Sequence, residues 1–513
     1  MAGDFFLGYD VGTGGTKAAL IDRSANIIAS SFCEYPLYHP KPRWAEQDPE
    51  DWWQAVVTCT REVLARSDIE PGSVAGLGFA GQMLGLVPMR ADGSPQGMAV
   101  SWMDSRGDAQ AARIIHTLGG KRPIEMVAGG VPTGKDVIAK MLWFKEERPD
   151  DFAVISKFLD TTGYLVFRAT GRMVVDHTGA GGTGLIGMRS RDWSRSLFRL
   201  VRMPLEKLPP VLSSIEVAGL LGEKPASAMG LAPGTPVIAG MADIPAAATG
   251  SGALEHGDGH IYLGTSSWLC LSVRKPKSLG KVGIASVPSP DPNLFMMIGE
   301  SEMAGACMDW FLRELAREKS EQAESTGHNL YALLDERIEA AEPGARNLIF
   351  TPWMFGERSP VADTTLHGAF LNLGLEHRQE DLMRAIYEGV AYNLRWLLEA
   401  VEKAGYPCPA LRAIGGGAQS DTWMQVIADV TGRRMDAVSD PQQAGAVGCA
   451  LAVAVALGVL NDYKEIKRVV RVRRSFEPRS ELRPRYDRLF RVFQDTYPAL
   501  SRAGLALNRD ADR

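Results

Sequence analysis

The chain has 513 residues, more than one hydrophobic core ordinarily serves, so at least two domains are expected. With 45% hydrophobic and 23% charged residues it has the composition of a globular protein, and a net charge of −5 gives no basic face for a nucleic-acid backbone. The six cysteines form no C-x-x-C pair, which argues against a zinc site and for free thiols in a reducing, cytoplasmic compartment. No basic segment followed by an apolar run opens the chain, so no secretory signal is read. The charge-free stretch 442–460 is too rich in Ala and Gly to favour lipid, and a closely packed buried helix is predicted there, with no membrane partner.

Taken in order, apolar residues 5–7 lead through Asp10 into Gly12-Thr13-Gly14-Gly15-Thr16, and Lys17 opens a second apolar run. The periodicity predicts strand, tight turn, strand. Such a turn either presents N–H and hydroxyl donors (Thr13, Thr16) to a phosphate, with Asp10 beside a cation, or is an ordinary glycine-rich β-turn. A third strand is predicted over 27–32, giving a meander. Asp48-Pro49 then reads as N-cap and first turn of a helix with Trp52, Trp53, Val56 and Val63 on its apolar side. A short strand over 74–80 runs into Gly81-Gln82-Met83-Leu84-Gly85, a polar, glycine-rich strand end of the kind that faces a ligand cleft. Asp104 and Arg106, after Trp102, are read either as a cleft pair or as a solvent-exposed ion pair.

Helices are predicted over 135–149, from 163 and from 192. A strand over 237–240 runs into Asp243, which precedes the small-residue run 246–252; this is a good catalytic position, and a helix N-cap role is compatible with it. The opening pattern returns at residues 260–271 around Gly264-Thr265-Ser266. Two such hairpins half a chain apart suggest two related α/β domains facing across one cleft, divided near residue 250 into 1–250 and 251–513. A long amphipathic helix over 380–404 and a strand over 411–414 lead to Gly415-Gly416-Gly417-Ala418, a glycine loop that admits a base or sugar close to the backbone but is not a P-loop.

These stretches, with residues 44–49, Gly356-Glu357-Arg358-Ser359-Pro360 and Ala444-Gly445-Ala446, resemble in order and spacing the FGGY-type carbohydrate kinases, above all the xylulokinases, from Gly8 to about Gly458. The resemblance implies an α/β protein of two actin-like (ribonuclease H-like) ATPase domains with a cleft between them. The first would bind sugar and the second nucleotide. It implies ATP and Mg²⁺ as cofactors and transfer of the γ-phosphate to a hydroxyl of a ketopentose or related sugar or polyol. It makes Asp243 the base and Asp10 the acidic partner at the metal. Thr13, Thr16, Lys17, Gly264, Thr265 and Ser266 would surround the phosphates, and Gly416, Gly417 and Ala418 would meet the adenosine. Gln82, Met83, Leu84, Trp102, Asp104 and Asp243 would face the sugar. A homodimer is compatible with this picture. Xylulokinases usually carry His where Leu84 stands and Asn where Ile244 stands, so the acceptor wall is expected to be more apolar. A non-catalytic sugar- or nucleotide-responsive regulator and a motor-type ATPase on the same fold are the alternatives.

Overall fold

The computed structural model describes residues 4–117, 119–120, 131–317 and 330–508. β1 (Phe5–Val11), β2 (Gly15–Asp22) and β3 (Ile27–Glu34) form the antiparallel meander that the alternation predicts. α1 (Pro49–Ser67) begins where expected, with the Asp48 carboxylate accepting the Glu50 N–H at 2.9 Å. It returns the chain to β4 (Val74–Gly81), parallel to β1, as a parallel pair requires a crossover. α2 (Val137–Glu147), α3 (Thr161–Thr170) and α4 (His177–Gly182) follow. β5 (Val217–Leu220) and β6 (Pro236–Ile238) complete the sheet in the order β5-β6-β4-β1-β2-β3. The strand predicted over 237–240 stops at Ile238, because Gly240 takes φ +77° and steps the chain sideways into β7 (Met241–Ala242) on the far end of β4. The helix predicted from 192 starts later and is short, Arg195–Leu200.

α5 (Asp243–Ser251) leads into a second sheet. β8 (Gly259–Leu263), β9 (Ser267–Val273), β10 (Ile284–Pro288) and β11 (Phe295–Ser301) are antiparallel neighbours. After α6 (Gly305–Leu315) and the long α7 (Gln379–Lys403), β12 (Ala410–Ile414) adds in parallel to β8. α8 (Asp421–Thr431) then leads to β13 (Arg434–Val438), parallel to β12. α9 (Ala444–Ala456) and β14 (Val472–Phe476) follow, and the order is β10-β11-β9-β8-β12-β13-β14. The two sheets therefore repeat one plan: a first strand with antiparallel strands on one side and, on the other, two successive parallel strands reached through helices. This is the two-domain actin-like arrangement.

The stretch predicted as a buried helix is α9, buried from Ala444 to Ala454. It packs on the first sheet although it lies late in the sequence. Along β1 the pleat sends Leu7, Tyr9 and Val11 to the core beneath α1, and Phe6 and Gly8 to the other face. A Cβ on Gly8 would lie 2.1 Å from the Ala446 carbonyl, one on Gly448 2.0 Å from the Ala246 carbonyl, and one on Gly250 1.8 Å from the Ala444 carbonyl. β1, α9 and α5 thus touch backbone to backbone. Among the described residues no helix is long and apolar enough to cross a membrane.

Candidate active site

Asp10 sits opposite Ala80 of β4 on one side, and Met241-Ala242 pair with Ala80-Gly81 on the other. β4 therefore carries Asp10 and Asp243 on its two flanks, their backbones two strand spacings (on the order of 10 Å) apart. Both carboxylates are partly buried. Burial, and then the negative charge of Asp10, raises Asp243 to about 7. Asp10 is also raised by burial, against the pull of Lys17. The start of a helix favours an ionised carboxylate, yet Asp243 is not held in the usual carboxylate range. It does open α5 and accepts the Ile244 N–H at 2.9 Å, but lost hydration and a second carboxylate outweigh that donor.

The hairpins face these carboxylates from the two domains. In the first, the Gly12 N–H donates to the Gly15 carbonyl at 3.0 Å, and the Lys17 ammonium reaches the Gln442 carbonyl at 3.1 Å, just before α9. The Thr13 hydroxyl accepts from Trp102 Nε1 at 2.8 Å and donates to Gln82 Oε1 at 3.2 Å. Gln82 in turn donates to Gln47 at 2.7 Å, and Gln47 returns to the Thr13 carbonyl at 2.8 Å. Thr13 therefore knits three loops together. Thr16 is fully buried within the sheet and offers nothing to the cleft surface, which corrects its grouping with the phosphate donors. In the second hairpin, Gly264 N–H donates to the Ser266 carbonyl at 2.9 Å, and the carbonyls of Gly264 and Thr265 accept N–H groups from the start of α6. Thr265 is exposed and Ser266 half-buried. Tyr262 stacks on Trp268 at 3.8 Å, and burial followed by the charges of Asp10 and Asp243 raises its phenol to about 12. Tyr262 thus looks toward both carboxylates, a placement that the sequence, with only a hairpin pattern, did not reveal.

The glycine loop divides its residues. Gly416 is exposed, and a Cβ placed on it would find its nearest neighbour 3.4 Å away on Gln442. Gly417 faces inward, where a Cβ would meet Trp423 at 2.8 Å and Leu263 at 2.9 Å, and Ala418 is fully buried. Only Gly416 offers open backbone to a nucleotide; the other two shape the loop from behind.

On the acceptor side, Met83 and Leu84 are partly exposed and lie against Gly182, with Met83 Cε 2.6 Å from its Cβ position. Gln82 is almost wholly buried and Trp102 half-buried. Asp104 is fully buried: it accepts the Ala45 N–H at 2.8 Å and Arg106 Nε and Nη2 at 2.9 and 2.8 Å. Arg106 also meets Glu46 at 2.6 Å and lies 3.8 Å from the ring centre of Trp44. The solvent-exposed reading of this pair is wrong, and direct sugar contact by Asp104 is equally unsupported, since its oxygens are occupied. Ile244 is 5% exposed and packs into the core, so it lines little of any wall. Arg358, which in the sequence is only part of a family landmark, crosses from the second domain to lie 5.9 Å from the ring of Trp102. Its guanidinium is taken by Glu302 at 3.0 Å and by Glu300.

Among the described residues no cluster of three His, Cys, Asp or Glu forms a metal cage. Mg²⁺ keeps several waters and takes one or two carboxylates plus substrate phosphates, so its binding needs no such cage. Asp10 is the carboxylate that would hold it, in place beside the first hairpin.

The chain matches the N-terminal domain of the FGGY family of carbohydrate kinases over residues 5–250 and its C-terminal domain over residues 259–457. It is 30% identical to the xylulose kinase of Bacillus subtilis over 497 residues, 96% of each chain. It is 25% identical to a gluconokinase of Bacillus licheniformis, over 97% of this chain and 96% of the relative. The crystal structure of xylulose kinase from Rhodospirillum rubrum superposes with a TM-score of 0.86 at 26% identity, covering 98% and 99% of the two chains. Two matching domain families in the right order, on two repeated sheets, mean that this chain belongs to the FGGY family of carbohydrate kinases and is an ATP-dependent sugar kinase.

Proposed function

We propose that the protein transfers the γ-phosphate of ATP to a hydroxyl of a ketopentose or a related uncharged sugar or polyol, with residues 1–250 holding the acceptor and residues 251–513 the nucleotide. The observation that carries this reading is Asp243: a carboxylate raised to about 7, at a helix start, with Asp10 across the strand and both hairpins facing it. An alcohol must lose its proton as the new P–O bond forms, and a base of pKa near the working pH does this best. Asp243 accepts that proton. Thr265, Ser266, Lys17 and the open turn of the first hairpin bind the phosphates, and Gly416 admits the adenosine. Mg²⁺ bound beside Asp10 would offset phosphate charge.

The charge of the cleft favours an uncharged acceptor. Asp10, Asp243, Glu300 and Glu302 stand against Lys17 and an Arg358 already paired with two of them. Arg358 is already committed to Glu300 and Glu302, so a gluconate-like carboxylate would have to compete with them for it. A regulator without catalysis is disfavoured, since both carboxylates and both hairpins are intact. The unpaired cysteines agree with the cytoplasm as the site of action.

The test is ADP release from the purified protein with ATP, Mg²⁺ and a panel of D-xylulose, D-ribulose, ribitol, glycerol and gluconate. Acceptor-dependent turnover with a pentulose or polyol and none with gluconate is expected. Asp243→Ala should lower sugar-phosphate formation by about a hundredfold or more while ATP still binds. Gluconate as the best acceptor, or a turnover within tenfold of the unmodified rate in Asp243→Ala, overturns the reading.

A further inference from the structure

Lys140 is the one lysine of the described residues buried to 0% exposure, and nothing in the chemistry above uses it. It projects from α2, and its ammonium donates to two backbone carbonyls, Leu84 at 3.0 Å and Ser101 at 2.8 Å. Neither partner is a carboxylate. Burial pulls its pKa down to about 7, against the charges of Asp104 and Asp136, with Arg106 and Lys135 pulling the same way as burial. Desolvating an ammonium without an ion pair is unfavourable, and a methionine would fill the same volume more comfortably.

The two carbonyls explain its retention. Leu84 adopts φ +61°, a left-handed conformation that a branched side chain avoids and that persists only where its surroundings over-determine it. It ends the Gln82-Met83-Leu84 loop. Ser101 stands immediately before Trp102. One nitrogen therefore joins the two loops that carry the acceptor-facing side chains. We propose that Lys140 is the positioning residue of the acceptor wall, holding the Leu84 and Ser101 carbonyls so that Met83 and Trp102 keep a fixed separation. The neutral amine still carries two N–H groups, so the tie survives deprotonation and is not a pH switch. This inference rests on the reading that residues 82–84 and Trp102 face the sugar.

The experiment compares Lys140→Met, Lys140→Gln and Trp102→Ala in the full chain, with D-ribulose, D-xylulose and ribitol as acceptors. Acceptor KM comes from coupled kinetics, ATP Kd from calorimetry and Tm from scanning. Lys140→Met should raise acceptor KM about tenfold or more, as displaced positioning groups do, with ATP Kd within twofold. Lys140→Gln, whose amide has two N–H donors on a shorter stem, should recover part of that loss, and it serves as the reading if the Met variant does not fold. An acceptor KM within twofold of the unmodified protein in a folded Lys140 variant overturns the proposal, as does equal weakening of acceptor and ATP alongside a lowered Tm. If Trp102→Ala leaves acceptor KM unchanged, the acceptor-wall reading itself fails, separately from the role of Lys140.

Discussion

Asp243 carries two opposed demands in one side chain. As the base proposed above it must be unprotonated, so kcat/KM for the acceptor should fall about tenfold per pH unit below a pKa near 7, since that parameter reports the free enzyme. A limb at pH 4 to 5 would mean the carboxylate is better hydrated than its surroundings imply. Stability runs the other way. Its pKa is raised from 3.8 in an unfolded chain to about 7 on folding, so its contribution is fully present below 3.8 and is lost as pH rises through 7. Asp243→Asn, which cannot ionise, should therefore melt above the unmodified protein at pH 8, with the gain shrinking from pH 7 toward pH 4. An equal or lower Tm at pH 8 would show that burial there carries no such cost. That Asp10 and Asp243 stand at the ends of strands was legible in the sequence. Their protonation was not: a helix start is a local feature, whereas lost hydration and the field of Asp10 come from strands far apart in the chain. The same limit explains Asp104 and Arg106. Adjacent charges look alike whether exposed or buried, and the rings of Trp44 and Trp143 that cover Arg106 arrive from elsewhere in the chain.

Elements governed by short-range rules were legible almost to the residue. The β1–β2 hairpin, the Asp48 cap of α1 and α7 with Gly405 at φ +96° beyond its end all follow from local chemistry. The glycine loop after β12 was found for the same reason, but which of its residues faces outward depends on Leu263 and Trp423 behind it. Two substitutions separate these faces. Gly416→Val projects into open space and should weaken ATP binding about tenfold with little change in Tm, because a base-admitting backbone is blocked. Gly417→Val forces carbon against Trp423 and Leu263 and should cost about 1–3 kcal/mol of stability, as overpacking does. Calorimetry and thermal melts read both. Unchanged ATP affinity in Gly416→Val would move the adenosine away from this loop.

Across the molecule, the two domains are joined by more than the chain. Arg191, at φ +54°, extends from the first domain into the turn between β10 and β11 of the second. Its guanidinium donates to the carbonyls of Ser289 (3.0 Å), Pro292 (2.7 Å) and Leu294 (2.9 Å). β11 runs from that turn to Glu300 at the cleft. Closure of the domains over a sugar would keep water from serving as acceptor in its place. Arg191→Ala should loosen that closure, raise both substrate KM values and increase the ATP hydrolysed per sugar phosphate formed above one. Unchanged stoichiometry and KM values would show that the arginine merely packs.

The contact of β1, α9 and α5 through bare backbone has a consequence for how such an enzyme diversifies. Gly445 lies so close to Asp10 that a Cβ would stand 2.5 Å from its carboxylate oxygen, and Gly448 meets Ala246, three residues after Asp243, in the same way. Asp10 is thereby seated with its side chain against a bare peptide, and α5 by contact of peptide on peptide, and neither seat can be adjusted in small increments: the least possible change at Gly445 or Gly448, one methyl group, is already too large. With the acceptor wall proposed above, a change of sugar would fall on the rim loops around Met83 and Trp102 and would leave the seats of Asp10 and Asp243 untouched.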